Sequence, residues 1–175
     1  MLPALTNAIR HVAVNEIMPR YLKVARQHKD DGSFCTEADT AAQAALVGLL
    51  RGVADCPVLG EEMSDAEQHA LWACGAEGLW CLDPIDGTSN FVNGLPYFAV
   101  SAALLRHGRP VVGAVYDPVA DEMFCAQKGK GAWLNGEPIR AASPVDLDRS
   151  LLVTGFPYDI RTNPNNNLEY YTQFA

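Results

Sequence analysis

The feature that most constrains this chain is a series of strand-like segments divided by turns too short to contain a crossover. Tyr97 to Arg106, Val111 to Tyr116, Glu122 to Ala126 and Ala132 to Leu134 read as strands. His107-Gly-Arg-Pro110, Asp117-Pro118 and Lys128-Gly-Lys-Gly131 read as the turns between them, and Asn135-Gly136 is a strong hairpin signal. Parallel neighbours need a connection of a dozen or more residues, so these short turns favour antiparallel pairing. Two further apolar runs precede this series. Pro57 to Glu62 ends in two acids, and Gly78 to Leu82 runs straight into Asp83.

Ahead of the strands the period changes to that of a helix. Leu5, Ile9, Val12, Ile17, Leu22 and Val24 recur at helical spacing from Ala4 to Val24, with Pro19 predicted to kink or divide the segment. After the polar break Lys29 to Ser33, Thr36 and Asp39 open an alanine- and leucine-rich helix that runs to Val53. Ser64 with Glu67 forms a capping-box pattern for a third helix through Cys74. Leu151 to Thr154 reads as another strand, and Asn166 to Ala175 as the start of a helix. At 175 residues, 49% of them apolar, the chain fits one domain with a proper core. The expected architecture is α+β, with long amino-terminal helices packed on one face of a mainly antiparallel sheet.

The net charge of −8, from 21 acidic and 13 basic residues, argues against nucleic acid and anionic membrane surfaces as partners. A protein of this charge that handles a phosphate ester must cancel repulsion locally, and metal cations at a carboxylate cluster would do so. The five cysteines contain no C-x-x-C pair and are odd in number, so they read as reduced thiols rather than a disulfide framework or zinc site. The amino terminus lacks a basic n-region, and no apolar stretch approaches the ~20 residues that span a bilayer. Together these features predict a soluble, cytoplasmic protein.

Chemistry concentrates in Leu82-Asp-Pro-Ile-Asp-Gly-Thr-Ser-Asn-Phe91. An apolar strand delivers Asp83 and Asp86 at its carboxyl end, with the Ile85 carbonyl between them as a third hard oxygen, a ligand set of magnesium type. Gly87 permits unusual backbone angles, and a helix beginning near Thr88 and Ser89 would present N–H groups to an anion beside the metal. A D-x-x-D pattern is common by itself, and aspartate before glycine often marks only a turn. Gly60-Glu61-Glu62 and Thr36-Glu-Ala-Asp39 add acids at a strand end and a helix start. Taken alone, Glu61 and Glu62 read as a solvated strand end, but acids clustered together are costly unless cations neutralise them.

The G-E-E triplet, then W-C-L-D-P-I-D-G-T-S-N-F-V-N-G-L-P, then G-A-V-Y-D-P and Q-K-G-K-G-A-W-L-N-G, together resemble the inositol monophosphatase family in the right order over essentially the whole chain. The resemblance implies hydrolysis of a small phosphate monoester by direct attack of a metal-activated water. It implies that Glu61, Asp83, the Ile85 carbonyl and Asp86 bind two or three Mg²⁺ ions. It also implies that Asp86, Gly87, Thr88 and Ser89 hold the substrate, and that Glu61 and Thr88, with Asp39 bonded to the threonine hydroxyl, activate the water. Inhibition by Li⁺ and a homodimeric full-length protein follow from the same likeness. The family often places a lysine and another metal-associated acid in the mobile loop where Lys29 and Asp30 lie, although by sequence these two read as a solvated turn.

One departure concerns the second half of the family's layered αβαβα sandwich, the carboxy-terminal α/β portion with a further metal-binding aspartate in a W-D-x-A-like segment. None of Trp72, Trp80 and Trp133 precedes an aspartate, and nothing after Phe156-Pro-Tyr-Asp159 matches that portion. Residues 1–175 are therefore expected to be the amino-terminal part of such a phosphatase. A catalytically incomplete piece that retains metal and phosphate binding is the alternative. Histidinol phosphate and fructose 1,6-bisphosphate are alternative substrates within the family. A haloacid-dehalogenase-type phosphatase, with an aspartate nucleophile, is disfavoured because its acids stand two residues apart, whereas Asp83 and Asp86 are three apart with Pro84 between them.

Overall fold

A computed structural model describes residues 1–23, 27–28, 34–143, 146–156, 160–163 and 166–174. Its centre is a seven-stranded sheet in sequential order: β3 (Val58–Gly60), β4 (Leu79–Asp86), β5 (Ala99–Arg106), β6 (Arg109–Asp117), β7 (Glu122–Gln127), β8 (Gly131–Leu134) and β9 (Glu137–Ile139). Every neighbouring pair is antiparallel except β3 with β4, which are parallel and joined through helix α3 (Asp65–Cys74). A crossover is needed there and nowhere else, as the short turns require. Asn135 and Gly136 both have positive φ, 50° and 89°, the backbone of a type I′ hairpin between β8 and β9. A small ribbon, β1 (Gln27–His28) with β2 (Phe34–Cys35), stands apart from this sheet.

Helices α1 (Leu2–Val12) and α2 (Glu37–Val53) supply Leu5, Ile9, Val12, Leu46 and Leu50 to the core. The sheet answers with Trp80, Leu82, Val100, Ala102, Leu104, Val112, Ala114 and Met123, alternate residues along each strand, as a two-residue period demands. Phe91 and Phe98 meet edge to face at 5.0 Å in the same cluster, with Tyr21 against both. The opposite sheet face leaves Val115 and Phe124 exposed.

One expected break is present, and two expectations about elements need correction. The first helical segment is divided, as Pro19 predicts: after Val12 it widens into a π segment, Ala13–Ile17, and tightens into a 3₁₀ turn, Met18–Arg20. Pro19 has no N–H and its ring crowds the carbonyl four residues back, so the disturbance begins ahead of it. The strand expected to end at Leu82 continues through Pro84 to Asp86. Leu151 to Thr154 belongs to no strand; Leu151 and Val153 are 92% and 89% exposed, and no strand among the described residues lies beside them. The helix expected after Asn166 is present as α5 (Leu168–Phe174). No helix among the described residues is long and apolar enough to cross a membrane.

Candidate active site

Two strand ends and two helix starts meet at one corner of the molecule. In the parallel pair Gly60 lies opposite Leu82, and the Glu61 N–H donates to the Leu82 carbonyl at 3.1 Å. The next residues along, Glu61 and Asp83, therefore stand side by side, and their carboxyl groups share a hydrogen bond. Asp86 comes three residues after Asp83, and in a regular strand it would point to the other face. Here the register against β5 slips: Asp83 pairs with Ser101 and Asp86 with Ala99, three residues against two. The extra residue is a bulge at Pro84–Ile85, where proline has no N–H to give the ladder, and it returns Asp86 to the side of Asp83.

Electrostatics follow from this crowding. Burial above all, then the negative charges of Glu61 and Asp86, push the Asp83 carboxyl up to about 8. The hydrogen bond with Glu61 acts in the same direction, while the Ile85 N–H, donating to Asp83 Oδ1 at 3.1 Å, opposes it.

A second acidic node lies beside the first. Asp39, on the first turn of α2, is fully buried. Its Oδ2 accepts the Thr36 N–H at 2.7 Å and the Thr36 hydroxyl at 2.6 Å, closing a capping box, and its Oδ1 accepts the Thr88 hydroxyl at 3.1 Å. Burial raises the Asp39 carboxyl, and the two Thr36 donors pull the other way. The Thr88 hydroxyl also lies 3.0 Å from the Ile85 carbonyl oxygen, so one proton has two acceptors. Ile85 thus joins the nodes, its N–H on Asp83 and its carbonyl on Thr88.

Thr88 and Ser89 open the short helix α4 (Thr88–Asn93), entered through Gly87 at φ 99°. A Cβ on Gly87 would lie 2.9 Å from the Tyr97 carbonyl oxygen, so both the backbone angle and the close approach require glycine. Glu61, Asp83 and Asp86 form one group, and Asp39 and Thr88 the other, with Gly87 and Ser89 flanking them. Lys29 and Asp30 lie outside the described residues.

Among the described residues no three acidic, histidine or cysteine side chains are set around a point as a finished metal site. Glu61 and Asp83 are hydrogen-bonded to each other instead. The donor chemistry nonetheless fits a hard divalent cation. Three carboxyl groups and a backbone carbonyl are oxygen ligands only, and a cation would relieve the mutual repulsion that raises Asp83. Lacking from the sequence reading were the bulge at Pro84 and two glutamines, Gln43 and Gln68, that bond to the turn carrying Glu61. Pro84 was a usable signal for the bulge, whereas a glutamine on a helix resembles any solvent-facing residue.

A helix-backed, mainly antiparallel sheet whose β4 end gathers carboxylates beside a buried aspartate–threonine pair defines the class of protein. The chain belongs to the inositol monophosphatase family, whose model matches residues 1–174. It is 38% identical over 177 residues to a Pseudomonas aeruginosa protein named Nus factor SuhB, covering 98% of this chain and 64% of the relative. It is 40% identical over 141 residues to an inositol-1-monophosphatase of Synechocystis, covering 79% of this chain and 47% of that protein. The solved inositol monophosphatase of Anabaena (Nostoc) superposes with a TM-score of 0.77 at 33% identity, over 99% of this chain and 60% of that one. The chain therefore spans about half to two-thirds of the length of these relatives.

Proposed function

We propose that this chain carries the catalytic corner of a Mg²⁺-dependent phosphatase that hydrolyses a small phosphate monoester, with inositol monophosphate as the first substrate to test. The observation that carries this reading is the gathering of Glu61, Asp83 and Asp86 at the ends of β3 and β4, beside the Thr88–Asp39 bond, in a family of phosphatases. Glu61, Asp83, the Ile85 carbonyl and Asp86 would hold two or three Mg²⁺ ions, which when bound offset the charge of the phosphate and lower the pKa of water. Gly87, Thr88 and Ser89 would receive the phosphate, with Asp86 toward the rest of the substrate.

The chain's own residues supply the proton path. Thr88 Oγ can accept a hydrogen bond from a water while its own proton rests on Asp39 Oδ1, so hydroxyl and carboxyl together draw a proton from the nucleophile. Glu61 would share the task of orienting and deprotonating the water. The water oxygen forms a bond to phosphorus as the ester oxygen departs in line and takes up a proton from solvent water, giving inorganic phosphate and an alcohol, with no covalent phospho-enzyme. Residues 1–175 act on this reading as an amino-terminal portion, with lithium sensitivity and a homodimer expected of the longer protein and the cytoplasm as its compartment.

Phosphate release from inositol 1-phosphate, histidinol phosphate and fructose 1,6-bisphosphate, with Mg²⁺ and with excess chelator, tests the proposal. Mg²⁺-dependent release abolished by chelator and by Li⁺ supports it. Mg²⁺ binding without turnover would favour the incomplete-piece alternative. Undiminished release in chelator would refute the metal-dependent reading.

A further inference from the structure

The turn that presents Glu61 is held from two sides by side-chain amides. Beyond β3 the chain leaves regular structure, so its backbone groups need other partners. The Glu61 N–H goes to Leu82 and the Met63 N–H to the Gly60 carbonyl, while the Glu62 N–H donates to Gln43 Oε1 at 3.1 Å. From the other side Gln68 Nε2 lies 3.2, 3.1 and 3.2 Å from the carbonyl oxygens of Gly60, Glu61 and Met63. A primary amide has two N–H groups, so three carbonyls converge on one nitrogen with at least one proton shared.

Gln43 reaches the turn only because residue 60 has no side chain. A Cβ there would lie 2.1 Å from Gln43 Oε1 and 2.5 Å from its Cδ. Gly60 is not in the left-handed region, so its need for glycine comes from this approach and not from its backbone angle. We infer that Gln43, Gln68 and Gly60 act as one clamp on the Gly60–Met63 turn, with the two glutamines as positioning residues that hold Glu61 beside Asp83 for cation binding. The inference rests on the functional reading above. The clamp acts through the backbone and has a polarity: Gln43 must accept and Gln68 must donate. Glutamate can therefore replace Gln43 but not Gln68, where it would face three carbonyl oxygens.

The test titrates Mg²⁺ alone into the 175-residue chain by calorimetry and follows exchange of the Glu62 amide proton. Gln43→Met should weaken Mg²⁺ binding on the order of tenfold and speed Glu62 exchange, whereas Gln43→Glu stays within about threefold of the parent. Gln68→Glu should bind no better than Gln68→Met. Gly60→Ala should reproduce Gln43→Met, and the double variant should lose no more than the worse single, because both remove one contact. Additive losses, a Gln43→Glu variant as weak as Gln43→Met, or fast Glu62 exchange with parental Mg²⁺ affinity would each overturn the clamp. Should a Gln68 variant fail to fold, the three Gln43 and Gly60 variants still decide. A parent chain that binds no Mg²⁺ while its Glu62 amide stays protected would sink the functional reading and the inference with it. Equal binding by parent and variants sinks the inference alone.

Discussion

Asp39 and Asp83 are joined through Ile85, yet their surroundings answer burial in opposite ways. Around Asp39 the protein supplies chiefly donors, one N–H and two hydroxyl groups from residues 36 and 88, with the Glu62 charge acting against them. Around Asp83 it supplies further acids, Glu61 and Asp86, and a single backbone N–H. The first arrangement is complete within the chain, whereas the second gains from an outside cation. A buried carboxylate can thus be held by donors that fix a neighbouring hydroxyl or be left to gain from a cation, and the balance of donors and acids around it separates the two.

The largest expected effect sets the two aspartates against each other. Above pH 8, where the metal-free Asp83 carboxyl is ionised, Asp83→Asn removes a charge from a repulsive cluster, so the fold should keep its stability or gain up to about 1 kcal/mol. Mg²⁺-dependent turnover should fall on the order of a hundredfold or more, since stabilisation of developing charge depends on the ions held there. Asp39→Asn should instead destabilise the metal-free protein. Its amide N–H₂ would face the Thr36 or Thr88 donors, costing about 1–3 kcal/mol of stability. Melting temperature and turnover per folded molecule, measured on the same preparations, check both. Near-normal turnover in Asp83→Asn would end its assignment as a metal ligand, and an unchanged melting temperature in Asp39→Asn would break the contrast.

A smaller effect appears in the pH dependence of metal-free stability. Both carboxyls are raised above the ordinary 3.8, so the folded protein keeps protons that the unfolded chain has released. Their favourable contribution is whole below about pH 4 and is lost as pH rises toward 8, the value reached by Asp83. Asp121 and Glu67, which are lowered, act with the opposite sign and only in the acid range. Melting temperature without metal should accordingly decline from pH 5 to pH 8.5, and saturating Mg²⁺ should flatten the decline. A metal-free melting temperature that rises over this range would contradict the crowding at Asp83.

How much of this was legible beforehand depends on how far apart the interacting residues lie. Asp83, Asp86 and Gly87 fall within five residues, and one short run displays them together. The capping box of Thr36 with Asp39 was equally local. The bond from Thr88 to Asp39 spans 49 residues and came from family likeness, with no local signal of its own. Gln43 and Glu62 are 19 apart, and neither helical period nor composition distinguishes a glutamine that holds a turn from one that faces water. Leu151 to Thr154 failed for a related reason: an apolar run shows a preference for strand, but a strand also needs a neighbour with which to pair.

The smallest expected effect tests whether the hydroxyl of Thr88 accounts for its place between the nodes. Thr88 is 8% exposed, so its methyl group is buried along with its oxygen. Thr88→Ser deletes that methyl and keeps the donor that meets Asp39 and the Ile85 carbonyl. Losing one buried methyl should lower stability by about 0.8 kcal/mol, and turnover should stay within about threefold of the parent. Serine also rotates more freely about χ1, which accounts for a modest loss of rate without loss of the bond. Thr88→Val supplies the contrast, because it keeps the shape and removes the donor, leaving Asp39 Oδ1 without its Thr88 hydrogen bond. Valine should therefore be the more damaging of the two in both stability and turnover, despite being closer to threonine in volume. If serine and valine lower turnover equally, packing at position 88 governs the site and the proton path through the Thr88 hydroxyl is wrong.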